Sequence, residues 1–122
     1  MNVFDMSFAR VYDCLVKKAE RKGRARAEVD AVAAWLTGYT AEQLAAMEES
    51  GTTYGAFLQD APAWNPGAEL ITGKVCGIRV ETIEDPLTKK MRQLDKLVDE
   101  LAKGKALEKA LRSPAAEAEG RP

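Results

Sequence analysis

The spacing of apolar residues near the N-terminus constrains this chain most. Phe8, Val11, Tyr12, Leu15, Val16 and Ala19 recur at i, i+3, i+4, i+7, i+8 and i+11. An α-helix gathers such positions into one stripe, and the stripe must be covered by other elements. The helix is expected over residues 7–22, with Ser7 as N-cap and Gly23 as the stop. A similar pattern returns late in the chain. Leu87, Met91, Leu94, Val98 and Leu101 lie 4, 3, 4 and 3 residues apart, a heptad-like seam. Asp85-Pro86 starts this helix and Gly104 stops it near residue 103. About two heptads fall short of a coiled coil, so packing within one domain is the expectation and self-association the alternative.

Shorter helices fill the middle. One is expected over 27–37, with Val29, Val32, Ala33 and Leu36 inward, Trp35 beside them and Gly38 at its end. The next opens with a Thr40/Gln43 capping box, turns Leu44 and Met47 inward and stops at Gly51. Thr53 caps a short helix carrying Tyr54, Phe57 and Leu58, which Pro62 ends. Asn65-Pro66 starts a short helix, and the β-branched run after it favours an extended segment near 78–82. A small hairpin turning at Gly73-Lys74 is the alternative. A last helix is expected over 105–112. The tail, 113–122, has no large apolar residue and reads as disordered. The fold class is therefore mostly α. It is a compact single-domain bundle of five to six helices over 1–112, with a short extended segment or small hairpin near 70–83.

The 122 residues, 46% of them apolar, suffice for one core without disulfides. No apolar run reaches about 18 residues, and no secretory signal is apparent, so a cytoplasmic, non-membrane protein is expected. Histidine is absent, which excludes His-based triads and His metal sites. Two cysteines, Cys14 and Cys76, are too few for a disulfide framework. A single Cys14–Cys76 bridge is less expected than two reduced thiols. Cys14 falls off the apolar stripe and should be exposed. No cofactor or metal is implied.

The net charge of −1 hides a strong pattern. Residues 1–26 carry seven basic and three acidic side chains, and residues 27–69 carry seven acidic ones with no Lys or Arg. Residues 70–112 carry ten basic and seven acidic side chains. Opposite-signed segments could attract each other within the fold or between copies. The acidic block also contains the second helix of a would-be helix-turn-helix, residues 41–50, so sequence-specific DNA binding is not expected.

Three sets of residues could carry a function. Lys17, Lys18, Arg21, Lys22, Arg24 and Arg26 form a basic cluster that suits an anionic partner, or a solvated helix end. Trp35, Tyr39, Cys76, Arg79 and Asp95 would form a pocket if they share a cleft. Cations near Cys76 could activate its thiol, but a structural, partly buried cysteine is the expectation. Asp95, Asp99 and Glu100 alternate with Arg92, Lys96 and Lys103, which reads as a solvated face.

Several ordered blocks look familiar. Met6-Ser7-Phe8-Ala9, Val11-Tyr12, Lys18-Ala19-Glu20 and Lys22-Gly23-Arg24 form one block. Glu28-Val29-Asp30 and Trp35-Leu36-Thr37-Gly38-Tyr39 form another. Gly51-Thr52, Ala61-Pro62, Asn65-Pro66, Ile71-Thr72-Gly73, Cys76-Gly77 and Arg79-Val80-Glu81 follow. Leu94-Asp95-Lys96-Leu97 and Asp99-Glu100-Leu101-Ala102-Lys103-Gly104-Lys105 complete the set. Together, over about residues 3–112, they resemble the small bacterial proteins grouped as domain of unknown function 2200. Gly67 and the alanine-rich tail depart from that pattern. The resemblance implies a small cytosolic bacterial protein and no reaction, substrate or catalytic residue. The leading expectation is a non-enzymatic binding or interaction domain, using the basic cluster, the 86–103 helix, or both. A small enzyme or anion-binding domain around Cys76, Arg79 and Asp95 is the alternative. Non-specific nucleic-acid contact through the basic end of the first helix is weaker.

Overall fold

Four of the helix starts are made by side-chain caps that the sequence announces. The computed structural model of the chain describes residues 2–111. Ser7 Oγ accepts from the Arg10 amide at 3.2 Å and opens α1, Phe8–Glu20. After α2, Arg26–Thr37, Thr40 and Gln43 exchange hydrogen bonds of 2.9 and 3.1 Å and open α3, Ala41–Ser50. Thr53 opens α4, Tyr54–Gln59, and Asp85 opens α5, Pro86–Ala102. Each cap satisfies an amide that the helix leaves without a partner. The final helix, α6, covers Leu107–Ala110, shorter than the expected 105–112, whose last residue lies outside the described ones. The expected disordered tail also lies outside them.

The two long apolar stripes meet. α5 packs against α1, α2 and α4, and its Met91, Leu94, Leu97, Val98 and Leu101 are buried with Phe8, Tyr12, Leu15 and Val16 of α1. The heptad-like seam is therefore covered within the chain. Phe57 of α4 collects the aromatic part of the core. Its ring centroid lies 4.4 Å from Phe8, 5.3 Å from Tyr39 and 5.6 Å from Tyr54. The N-terminus is tied to the start of α4 by hydrogen bonds from Phe8 N to Thr52 O and from Tyr54 N to Met6 O, 2.7 and 2.8 Å. Gly38 ends α2 with φ +84°, and a side chain there would sit 2.7 Å from the Ala63 Cβ. That closeness lets Ala63 and Asn65 donate to the last carbonyls of α2.

The stretch after α4 differs from its leading expectation. A 3-10 turn over Pro66–Leu70, capped by Asn65, is followed by a hairpin rather than one extended segment. The strands β1, Lys74–Val75, and β2, Ile78–Arg79, pair antiparallel, with Val75 opposite Ile78. The turn is Cys76-Gly77, not Gly73-Lys74, and both residues have positive φ, 52° and 79°. A two-residue hairpin needs that backbone to match the twist of its strands. Residues Val80–Thr82, expected extended, form a 3-10 turn. Val75 and Val80 are buried, and α5 packs against both β1 and this turn. The chain is thus a single domain of six α-helices with one small two-stranded sheet among the described residues.

Candidate functional site

The basic cluster divides into two groups that do different things. Lys18, Arg24 and Arg26 turn toward carboxylates of the fold. Arg24 lies across the end of α5, where unpaired carbonyls give a helix its partial negative charge. Its Nη1 donates to the Leu101 and Lys105 carbonyls at 2.8 and 2.7 Å. Its Nε donates to Glu28 Oε1 at 3.0 Å, and Nη2 donates to Glu28 Oε2. Glu28 also accepts from the Ala25 amide at 3.2 Å, which opens α2. Hydrogen bonds from Arg24 and then from that amide hold the Glu28 carboxyl below the usual range. Arg26 donates to Glu48 of α3 and lies 3.7 Å from Asp30. Asp30 in turn accepts from the Tyr12 hydroxyl at 2.5 Å. The attraction between the basic N-terminal segment and the acidic block is thus realised within the fold.

Arg10, Lys17, Arg21 and Lys22 turn outward. Lys17 is 62% exposed and, among the described residues, pairs only with Asp13, at 2.9 Å along the same helix. Arg10, Arg21 and Lys22 are exposed and have no ion pair among the described residues. Arg10, Cys14, Lys17 and Arg21 recur at i, i+4, i+7 and i+11, so they share one face of α1. That face is diametrically opposite the buried stripe. Arg10 stands outside the expected cluster, yet the same periodicity that located the core would have found it.

The carboxylates of α5 are not a solvated face, contrary to expectation. Side-chain exposures are 19% for Asp95, 13% for Asp99 and 9% for Glu100. Each has a cation beside it, from α5 itself or just after it, and Asp99 has one from α1 as well. Asp99 is 3.2 Å from Lys18 of α1 and 3.0 Å from Lys103, and Glu100 is 3.3 Å from Lys105. Burial pushes the Asp99 carboxyl up, but Lys103 and Lys18 outweigh it, and it lies below the usual range. Asp95 goes the other way. Burial raises its carboxyl despite Arg92 at 3.3 Å and the nearby Lys18. Tyr54, fully buried, faces the same pair, and its hydroxyl has no hydrogen-bond partner among the described residues. Burial raises that phenol strongly. This junction of α1, α4 and α5 holds a carboxyl that keeps its proton more readily than an exposed one.

The five residues of the expected pocket occupy separate places. Trp35 is half-buried on α2, where its carbonyl accepts from Asn65 Nδ2 at 3.1 Å. Tyr39 stacks on Phe57 and donates to that residue's carbonyl at 2.9 Å. Cys76 is exposed at the hairpin tip, not partly buried, because the turn projects it away from the core. Cys14 is exposed as expected, and neither cysteine is in a disulfide. Arg79 pairs with Glu81 at 3.0 Å on the surface. No hydrogen bond, ion pair or ring contact joins any two of the five among the described residues. Two of the surface hollows among the described residues lie elsewhere. One, of about 440 Å³, is lined by Glu100, Lys103, Gly104 and Lys105. The other, of about 170 Å³, is lined by Trp64, Glu69, Pro86, Lys89, Lys90 and Gln93. Among the described residues, no group of three His, Cys, Asp or Glu could hold a metal ion. No described helix is long and apolar enough to cross a membrane.

A family model and a solved structure place the chain among known proteins. A family model described as "Uncharacterized protein conserved in bacteria (DUF2200)" matches residues 2–112. No curated protein matches at a significant level. The crystal structure of uncharacterized protein SP1917 superimposes with a TM-score of 0.88 and 43% sequence identity. That match covers 100% of this chain and 98% of the other.

Proposed function

This chain belongs to DUF2200, a family of uncharacterized proteins conserved in bacteria, and we propose that it is a non-enzymatic protein-interaction domain. Its contact surface is the outward face of α1, and its partner presents acidic side chains. One observation carries this reading. The cations of the N-terminal segment split into an inward group, consumed by Glu28, Glu48, Asp99 and the end of α5, and an outward group. Within the outward group, Arg10, Lys17 and Arg21 align on one helix face, where Lys17 pairs with Asp13 and the two arginines have no ion pair among the described residues. Aligned exposed cations on a rigid helix steer an acidic surface and set its orientation. The buried opposite face of α1 supplies the rigidity.

Cys14 lies within this face and offers a direct test. In a Cys76→Ser variant, a photoreactive maleimide on Cys14 should trap a discrete protein from an extract of the native host. Arg10→Glu with Arg21→Glu should abolish that product without changing the melting curve. The same probe placed at Cys76, in a Cys14→Ser variant, should trap nothing comparable. Equal trapping from both positions, or a product removed by nuclease rather than protease, overturns the proposal.

A further inference from the structure

We propose that the hollow beside the start of α5 binds a small aryl carboxylate. It lies apart from the α1 face and shares no residue with it. Two walls are apolar and flat: the Trp64 indole and the Pro86 ring. The indole is held in place. Its Nε1 donates to Gln93 Oε1 at 3.0 Å, and Gln93, only 3% exposed, donates in turn to the Ala68 carbonyl at 3.3 Å. An aromatic wall fixed by a buried amide offers a preorganised surface for stacking.

The charges at the hollow are uneven. Lys90 has no carboxylate partner among the described residues, and its ammonium lies 5.0 Å from the Trp64 ring centroid. Lys89 has only a loose pair with Glu69, at 3.8 Å, and Glu69 is 77% exposed. A ligand carboxylate between the two ammonium groups would meet two cations against one exposed acid. Its aryl body would lie against Trp64 and Pro86. The volume, about 170 Å³, is below that of a drug-sized site and suits a compact ligand. A bare inorganic anion would leave the indole wall unused, and a neutral arene would leave the cations unused. The ligand class follows from needing both.

Trp64 itself reports the outcome. In the full-length chain, benzoate should shift the Trp64 indole N–H resonance saturably, with half-saturation in the millimolar range expected of so few contacts. A Trp35→Phe variant identifies that resonance. Benzamide, which keeps the ring and loses the charge, should bind at least about tenfold more weakly, as should inorganic phosphate. Lys89→Met with Lys90→Met should weaken benzoate binding by at least about tenfold and leave the melting curve unchanged. Lys109→Met, a surface control, should bind as the parent does. No saturable shift, equal binding of benzamide or phosphate, or unchanged affinity in the double variant overturns the proposal. If the double variant proves unstable, Lys90→Met alone carries the same test with a smaller loss.

Discussion

Arg24 and Arg21 stand three residues apart on the same basic segment, yet the fold treats them oppositely. Arg24 has its side chain 16% exposed and ties three parts of the chain together: the start of α2, the end of α5 and the link to α6. Arg21 is exposed and pairs with nothing among the described residues. Composition and charge density cannot separate them, because both are arginines in one cluster. Separation comes from geometry. Arg21 closes the last turn of α1 on its outward side, whereas Arg24 follows the turn at Gly23 and meets the Leu101 and Lys105 carbonyls at the end of α5. A guanidinium offers five donors in a plane, enough to bind a carboxylate and two carbonyls at once.

The sharpest way to break this contrast is to remove Arg24. Arg24→Met should lower Tm by roughly 5–10 °C, because Glu28 and the end of α5 lose their partner together. Arg24→Lys should recover little of that loss, since an ammonium cannot reproduce the fork. Arg21→Met should leave Tm unchanged. Thermal unfolding followed by circular dichroism decides all three, and equal effects at both positions would erase the distinction.

Lys18→Met should have a smaller effect, about 2–3 °C, because its side chain is 39% exposed and Lys103 still faces Asp99. Its clearer mark is on acid unfolding. The Asp99 and Glu28 carboxyls lie below their ordinary values in the fold. Their stabilisation is complete above the unfolded value, near pH 4, and is lost as pH falls through the folded values. Without Lys18, the Asp99 carboxyl should move up, and the acid midpoint should move up with it.

Asp95 should show the opposite sign. Its folded value is raised, so protonation favours the fold as pH drops toward the ordinary carboxylate range. Asp95→Asn should remove that opposing trend and make the loss of stability below neutrality steeper. A stability–pH curve identical to the parent would show that Asp95 titrates as an exposed acid does. The smallest effect is expected on the outward face. Arg10→Glu with Arg21→Glu should leave both Tm and the acid midpoint in place and alter only partner trapping at Cys14.

Much of the architecture is legible because its determinants are local. Caps at Ser7, Thr40, Thr53 and Asp85, and stops at Gly38 and Gly51, act within one helical turn. The buried stripes of α1 and α5 follow from periodicity alone. The hairpin turn is harder to place, because Cys76 occupies a position that Asn, Asp or Gly usually signals. The α5 acids mislead because alternation with Arg92, Lys96 and Lys103 looks like a wet surface. Their burial depends on Lys18 and on α1 lying across them. Trp64 and Gln93 are 29 residues apart, and nothing local announces that they meet.

By itself, then, the sequence determines a mostly helical domain, the ends of most helices and which faces turn inward, because each depends on hydrogen bonds and side-chain spacing within a few residues. It also determines that charge is segregated along the chain. Only the tertiary structure decides which charges cancel. Arg24 finds Leu101 and Lys105 across 77 and 81 positions, while Arg10 and Arg21 find no such partner among the described residues. Coulomb attraction and burial act on distance in space, and that distance exists only once α1 has closed onto α5.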